Sequence, residues 1–375
     1  MPEPFKNLLN EKIIIGMGGH LAKAWPEFDS AAFAARATKN LDDLELKERS
    51  AQITEALTAF LPDDFERAAL IMLASLAPDD GGDIGSAEVN CRGIEGWAVM
   101  PMTHYVGLRG LEHFDLSMML LKEMTKRSSS EFGIRFFLLA EPERTLSVLK
   151  TWVDDPNYNV RRLISEGTRP RLPWAMRLPA FMEDPAPILP LLEALKDDGE
   201  EYVRRSVANN LNDIAKDHPD IVARIAGQWL KGADKSRKRL IRHACRTLIK
   251  QGHQGTLKAL GYGPACIELE KLGIFTPRVP FGAALEFELW LASTANYAQP
   301  LIIDYAIHHR KASGSTTPKI FKWKTTTLAP LETLRAKRKH AIKKITTRVY
   351  YPGAHLLEIF VNGVSIGRED FELVM

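Results

Sequence analysis

Residues 157–177, NYNVRRLISEGTRPRLPWAMR, gather Arg161, Arg162, Arg169, Arg171, Arg177 and Trp174 around one carboxylate, Glu166. On a helix Arg162 and Glu166 stand at i and i+4 and share a face. Gly167, Pro170 and Pro173 then break the helix and turn the chain ahead of Trp174. Taken alone, this could be a surface ion pair beside a packed tryptophan. A second stretch, VRRSVANNLNDIAK, argues for more. There Arg205, Asn209, Asn212 and Asp213 fall at i, i+4, i+7 and i+8. Asn and Asp cost helix propensity, so a face built from them needs a reason. Fixed carboxylates can stabilise developing positive charge or take a proton from water. An indole can attract a cation, and guanidinium groups suit phosphates.

The elements that must hold these groups form a repeat. Tyr158-Asn159-Val160-Arg161-Arg162-Leu163 recurs 43 residues on as Glu201-Tyr202-Val203-Arg204-Arg205-Ser206. Weaker echoes lie at Phe132–Phe136 and Leu240–Ala244, with a helix such as Ile188–Leu195 between copies. A period near 40 with two helices per unit predicts a HEAT-like helical-repeat solenoid with a concave surface. The alignment puts Arg205 over Arg162 and Asn209 over Glu166. It also places Glu131, in SSEFGIR, on the preceding equivalent helix. Apolar stripes such as Ile53, Leu57, Phe60 and Leu61 extend the helical reading over residues 1–260.

A short helix is expected to end near Gly273. Alternation at period 2 then takes over from Pro277. Leu285–Trp290, Leu301–Ile307, Ile320–Trp323 and Leu356–Val361 read as strands, and Asn362-Gly363 as a tight hairpin into Val364–Ile366. The expected architecture is mainly α. A solenoid domain covers 1–270, and a small all-β Ig-like sandwich covers 277–375.

The chain has 375 residues, 45% of them hydrophobic, and a formal charge of +3. No apolar run reaches the ~18 residues of a membrane span. The N-terminus has no basic segment followed by an apolar one, which speaks against a secretory leader. Cys91, Cys245 and Cys266 are isolated, which suggests a reducing cytoplasm and neither a disulfide frame nor a zinc site. The small charge hides an uneven spread. Residues 1–159 carry −9, residues 160–250 carry +6 and residues 276–375 carry +6. A basic back half fits a polyanionic partner. Lys235-Ser236-Arg237-Lys238-Arg239 opens one helix, and Lys319, Lys322 and Lys324 are read along one strand face. Arg335, Lys337, Arg338, Lys339, Lys343 and Lys344 follow. Solvated helix faces and guarded strand edges are the structural alternatives for these runs.

RRLISEGTRPRLPWA followed by YVRRSVANNLNDIAKDHP resembles the AlkC branch of the AlkC/AlkD family of DNA-alkylation-repair glycosylases. LDDLELKERS, GWAVMPMTHYVG and SSEFGIRFF match as well, so the resemblance covers nearly the whole chain, including the Ig-like domain that some members carry. It implies excision of cationic lesions, above all N3-methyladenine, from duplex DNA without a cofactor. It carries the catalytic cleft to Glu131, Glu166, Trp174 and Asp213. A base alkylated at adenine N3 leaves as a neutral group, so no strong general acid is required. Carboxylates would stabilise the oxocarbenium-like sugar and place water, and the indole would pack on the sugar. Glu131 could instead pair with Arg162 or Arg135, and Trp97 and Trp152 read as core.

Expected DNA contacts are Arg162, Arg169, Arg171, Arg205, Asn209, Asn212, Arg239 and Arg242, with Lys319, Lys322 and Lys324 from the β domain, which is expected to grip the duplex. A monomer is expected. No P-loop or dinucleotide fingerprint is present, no lysine stands out as a Schiff-base nucleophile, and His308-His309 reads as strand surface rather than a metal site. A scaffold for a protein or DNA partner, without catalysis, is the alternative function.

Overall fold

The structure, a computed structural model, describes residues 4–79 and 92–375. Cys91 lies outside the described residues. A 3-10 turn at Phe5–Leu8 precedes the helices. These are α1 Glu11–Ala24, α2 Ser30–Ala37, α3 Leu46–Phe60, α4 Phe65–Ser75, α5 Val99–Arg109, α6 Phe114–Thr125, α7 Ile134–Ala140 and α8 Pro142–Thr151. They continue with α9 Tyr158–Gly167, α10 Pro179–Glu183, α11 Leu189–Leu195, α12 Glu201–Ile214, α13 Pro219–Trp229, α14 Lys235–Ala244, α15 Arg246–Gln251 and α16 Gln254–Ala259. Side-chain caps explain several starts. Asn10, Asp29, Asp64 and Asp234 each accept a hydrogen bond from a first-turn N–H of the helix that follows.

Strands follow: β1 Ile267–Ile274, β2 Arg278–Pro280, β3 Ala284–Ser293, β4 Gln299–Arg310, β5 Thr316–Leu328, β6 Thr333–Ala341, β7 Gly353–Val361 and β8 Val364–Val374. They make a sheet in the order β1-β3-β6 and another in the order β2-β8-β7-β4-β5. Alternate residues of β3, β4 and β7 point into one apolar core. Phe287, Leu289, Ile303, Tyr305, Leu357 and Ile359 are among its fully buried members. Asn362 and Gly363 turn β7 into β8 with φ of 47° and 76°, the left-handed pair that a tight hairpin needs.

The chain divides into two compact units, Met1–Asp217 and His218–Met375. Helices α13–α16 therefore group with the sheets. In the first unit α3 packs on α5, α5 on α7, and α9 on α12. The repeat has a visible structural job. Arg161 Nη1 donates to the carbonyls of Asp155 and Pro156, at 2.7 and 3.2 Å, before α9. Arg204, its counterpart 43 residues on, donates to the carbonyls of Asp198 and Gly199 before α12.

Two expectations are corrected. Residues 267–274 form β1, paired antiparallel with β3, and not the end of a helix. Its IELEKLGI pattern is an alternation with one bulge, which reads poorly as period 2. Nor do Lys319, Lys322 and Lys324 line one face. Lys322 stands opposite Asp304, whereas Lys319 and, across an extra residue at Trp323, Lys324 stand opposite Ile307 and Ile303.

Candidate active site

The first unit holds a buried charge cluster built by α9, α12 and the loop after α9. Asn157 caps α9 through its side chain. Gly167 closes that helix where an added Cβ would stand 2.7 Å from the Ile134 side chain, so only glycine lets α9 approach α7 there. Glu166, one residue earlier, is 5% exposed, and Asp213 on α12 is 1% exposed. Arg169 bridges them. Its Nη1 donates to Glu166 Oε1 at 2.7 Å and its Nε to Asp213 Oδ2 at 2.9 Å. Ser206 donates to Glu166 Oε2 at 2.7 Å, and Lys216 reaches Asp213 Oδ1 at 2.9 Å. Burial works against the Glu166 carboxylate, but Arg162, Arg169 and the Ser206 hydroxyl hold it below its ordinary value.

Arg162 joins the third carboxylate to this centre. Its Nη1 donates to Glu131 Oε2 at 2.7 Å, its Nη2 lies 3.5 Å from Glu166 Oε1, and its guanidinium sits 4.6 Å from the centre of the Tyr202 ring. Of the two partners the sequence left open for Glu131, the structure shows Arg162. Glu131 sits in the turn before α7 and not on a helix as expected. It is also the most accessible of the three carboxylates, its side chain 17% exposed.

Trp174 is 51% exposed and has φ 66°, a conformation that costs a bulky residue energy. The loop that imposes it is clamped by Arg135, whose side chain is fully buried. Arg135 Nη1 donates to the carbonyls of Gly167 and Arg169, each at 2.8 Å, and Nε donates to that of Met176 at 2.6 Å. Burial, with Arg169 close by, brings Arg135 down to about 10. It stays charged at neutral pH.

The carboxylates and their arginines are thus brought together. Arg162 and Arg169 are committed to carboxylates, and Arg171 makes a two-point pair with Asp217 at 3.0 and 2.7 Å. Along α12 the expected row divides. Arg205 is exposed, Asn209 is half-buried, and Asn212 is buried along with Asp213, because α9 covers that flank. In the second unit Arg239 and Arg242 are exposed on α14, and Lys319, Lys322 and Lys324 on β5. Trp152 is buried and Trp97 half-buried. His308 does have a carboxylate partner, Glu358 on β7 at 2.7 Å, and His309 is buried. Among the described residues no group of three or more His, Cys, Asp or Glu could hold a metal ion. No described helix is long and apolar enough to cross a membrane.

A family model described as the C-terminal Ig-like domain of the uncharacterised protein YhaZ matches residues 268–375. The uncharacterised protein YhaZ of Bacillus subtilis (strain 168) is 37% identical over 372 residues, covering 98% of this chain and 99% of its own. The structure of the Pseudomonas fluorescens alkylpurine DNA glycosylase AlkC, bound to DNA containing an abasic site analog, is 35% identical. It aligns over 100% of both chains with a TM-score of 0.87. The chain belongs to the AlkC family.

This AlkC-family site contains residues that sequence reasoning missed. Ser206, Tyr202 and the clamp Arg135 all touch it, as does Asn210, whose side chain donates to the Ser165 carbonyl at 2.8 Å and ties α12 to α9. Ser206 and Tyr202 sit inside the repeated block, so their spacing was visible. Their role was not, because an uncharged side chain in a repeat carries no sign of the charge it meets.

Proposed function

We propose that this protein is a monofunctional DNA glycosylase that hydrolyses the N-glycosidic bond of cationic alkylated bases, chiefly N3-methyladenine, in duplex DNA. Supporting the broad reading is its likeness along the full chain to an alkylpurine DNA glycosylase. One observation carries the chemistry: Glu166 and Asp213 are buried and bridged by Arg169, whose own loop holds the exposed, strained Trp174. Buried carboxylates are expensive, and their placement beside an exposed indole favours catalysis over a scaffold.

In the proposed reaction the lesion already carries the positive charge. The bond from sugar C1′ to the base nitrogen breaks, and its electron pair leaves with the base, which becomes neutral. Positive charge moves to the sugar, where fixed carboxylates stabilise it without reorganising. Water then bonds to C1′ and gives its proton to a carboxylate. Glu131 suits that step, being the most accessible of the three, with no protein partner for Oε1 among the described residues. Glu166 and Asp213 supply fixed charge, and Trp174 offers a face to the sugar. In this reading a HEAT-like concave surface holds the duplex. Arg205, Arg239, Arg242 and the β5 lysines are the exposed candidates for phosphate contacts. Arg162, Arg169, Arg171, Asn209 and Asn212 would reach the backbone only by leaving or sharing their present environment.

The test is chromatography of bases released from methylated duplex DNA. Free N3-methyladenine with an unbroken strand, cleaved only after alkali, is the expected outcome. Spontaneous strand breakage at the lesion would point to lyase chemistry, and no release would overturn the reading.

A further inference from the structure

Phe5 and Trp174 are among the largest exposed apolar side chains of the first unit, 62% and 51% accessible, yet they meet each other. Their rings stand edge to face, 5.7 Å apart at 71°. Single exposed aromatics need no explanation, but this pair joins the 3-10 turn at Phe5–Leu8 to a loop held in a costly conformation. Both supports are locked. Arg135 fixes the loop, and buried Arg49 fixes the turn. Arg49 Nη1 donates to the carbonyls of Lys6 and Leu9 at 3.0 and 3.1 Å, and its Nε donates to that of Leu44 at 3.0 Å. Lys6 adds a bond from Nζ to the Asp42 carbonyl at 3.1 Å. These anchors lie in LDDLELKERS, a block to which the proposed chemistry assigns no role.

We propose that Phe5 is a positioning residue for the glycosylase reaction: its ring buttresses Trp174, so that the indole meets the lesion nucleotide in one fixed orientation. Arg49 and the 41–50 segment hold that buttress in place. The inference rests on the glycosylase reading, and its test separates the two.

Single-turnover excision from methylated duplex DNA is compared for the parent, Phe5→Ala, Phe5→Tyr, Trp174→Ala and the double variant. Phe5→Ala is expected to slow excision by about three- to tenfold, the range of an edge-to-face aromatic contact. Its melting temperature should stay that of the parent, because the ring is mostly exposed. Phe5→Tyr should restore the rate. In the Trp174→Ala background, removing Phe5 should change nothing further. A parent-like rate for Phe5→Ala, or an equal loss in both backgrounds, overturns the proposal while leaving the glycosylase reading intact. A second readout does not depend on excision. The fluorescence assigned to Trp174, as the difference from Trp174→Phe, should become more open to acrylamide quenching in Phe5→Ala. Unchanged quenching overturns the proposal even where the parent excises nothing, a result that separately removes the function.

Discussion

Arg169 determines what its two carboxylates can do. The guanidinium lies between them at 2.7 and 2.9 Å, and its charge helps hold Glu166 ionised despite burial. Removing one partner of a buried pair leaves uncompensated charge, typically at a cost of ~3–5 kcal/mol. Arg169→Met is therefore expected to lower unfolding stability by that order in urea titrations. The same change predicts a pH effect. Glu166 titrates below its ordinary value in the folded chain. Its contribution to stability is thus present above the unfolded carboxylate range, near pH ~4.3, and is lost as pH falls through the lower folded value. The acid limb of unfolding stability against pH should therefore extend below that range in the parent and move upward in Arg169→Met. An acid limb at the same pH in both would contradict the role given to Arg169. The site's candidates were legible because Arg and Glu recur at helical spacing beside Asn and Asp, which weaken a helix. The pairings between them were not, because Arg162 had carboxylates in reach on two elements and spacing cannot rank them.

At the level of elements, the loop from Gly167 to Met176 stores strain in Trp174. Glycine adopts φ near 66° at little cost, whereas a bulky residue pays ~1–3 kcal/mol there. Trp174→Gly should keep or raise the melting temperature while lowering excision at least tenfold. A clear loss of stability would show the loop to be unstrained. The hairpin of the sandwich is tight for another reason. A Cβ on Gly363 would lie 2.6 Å from the Gly252 Cα, and φ there is 76°. Gly363→Ala is expected to destabilise the second unit by ~2 kcal/mol or more, read as a lowered urea midpoint. Asn362-Gly363 was readable from sequence because that turn needs two left-handed residues. β6 was not, because RAKRKH looks like a basic run until its alternate residues pair with Glu288 and Glu286 on β3. β1 was hidden by its bulge, and the three β5 lysines were never one face, because Lys319 and Lys322 stand three residues apart and alternation alone separates them.

Across the whole molecule, charge is organised by unit. The second unit, His218–Met375, carries the basic runs of α14, β5 and β6. It also contains histidines whose burial pushes them down, His309 to about 3 and His340 to about 4. Neutral in the fold and protonatable near 6.5 when unfolded, they make the unfolded state bind more protons between those values. Stability of this unit should therefore fall as pH drops from about 6.5 towards 4. Replacing His340 by Gln should flatten that slope in thermal melts at stepped pH; an unaltered slope would assign the loss elsewhere. The order of helices then strands was readable from the change of period. The grouping of α13–α16 with the sheets was not, because it depends on contacts such as the bond from Gln254 Nε2 to the Asn362 carbonyl at 3.1 Å.

In the proposed reaction, buried carboxylates fixed by arginine stabilise the sugar as the cationic base leaves. Glu166→Gln tests it most directly, in single-turnover release of N3-methyladenine from duplex DNA alongside binding to an abasic-site duplex. The expected rate is reduced at least a hundredfold with binding within about threefold of the parent, since one preorganised group is worth that much in a transition state. Parent-like release by Glu166→Gln would contradict it.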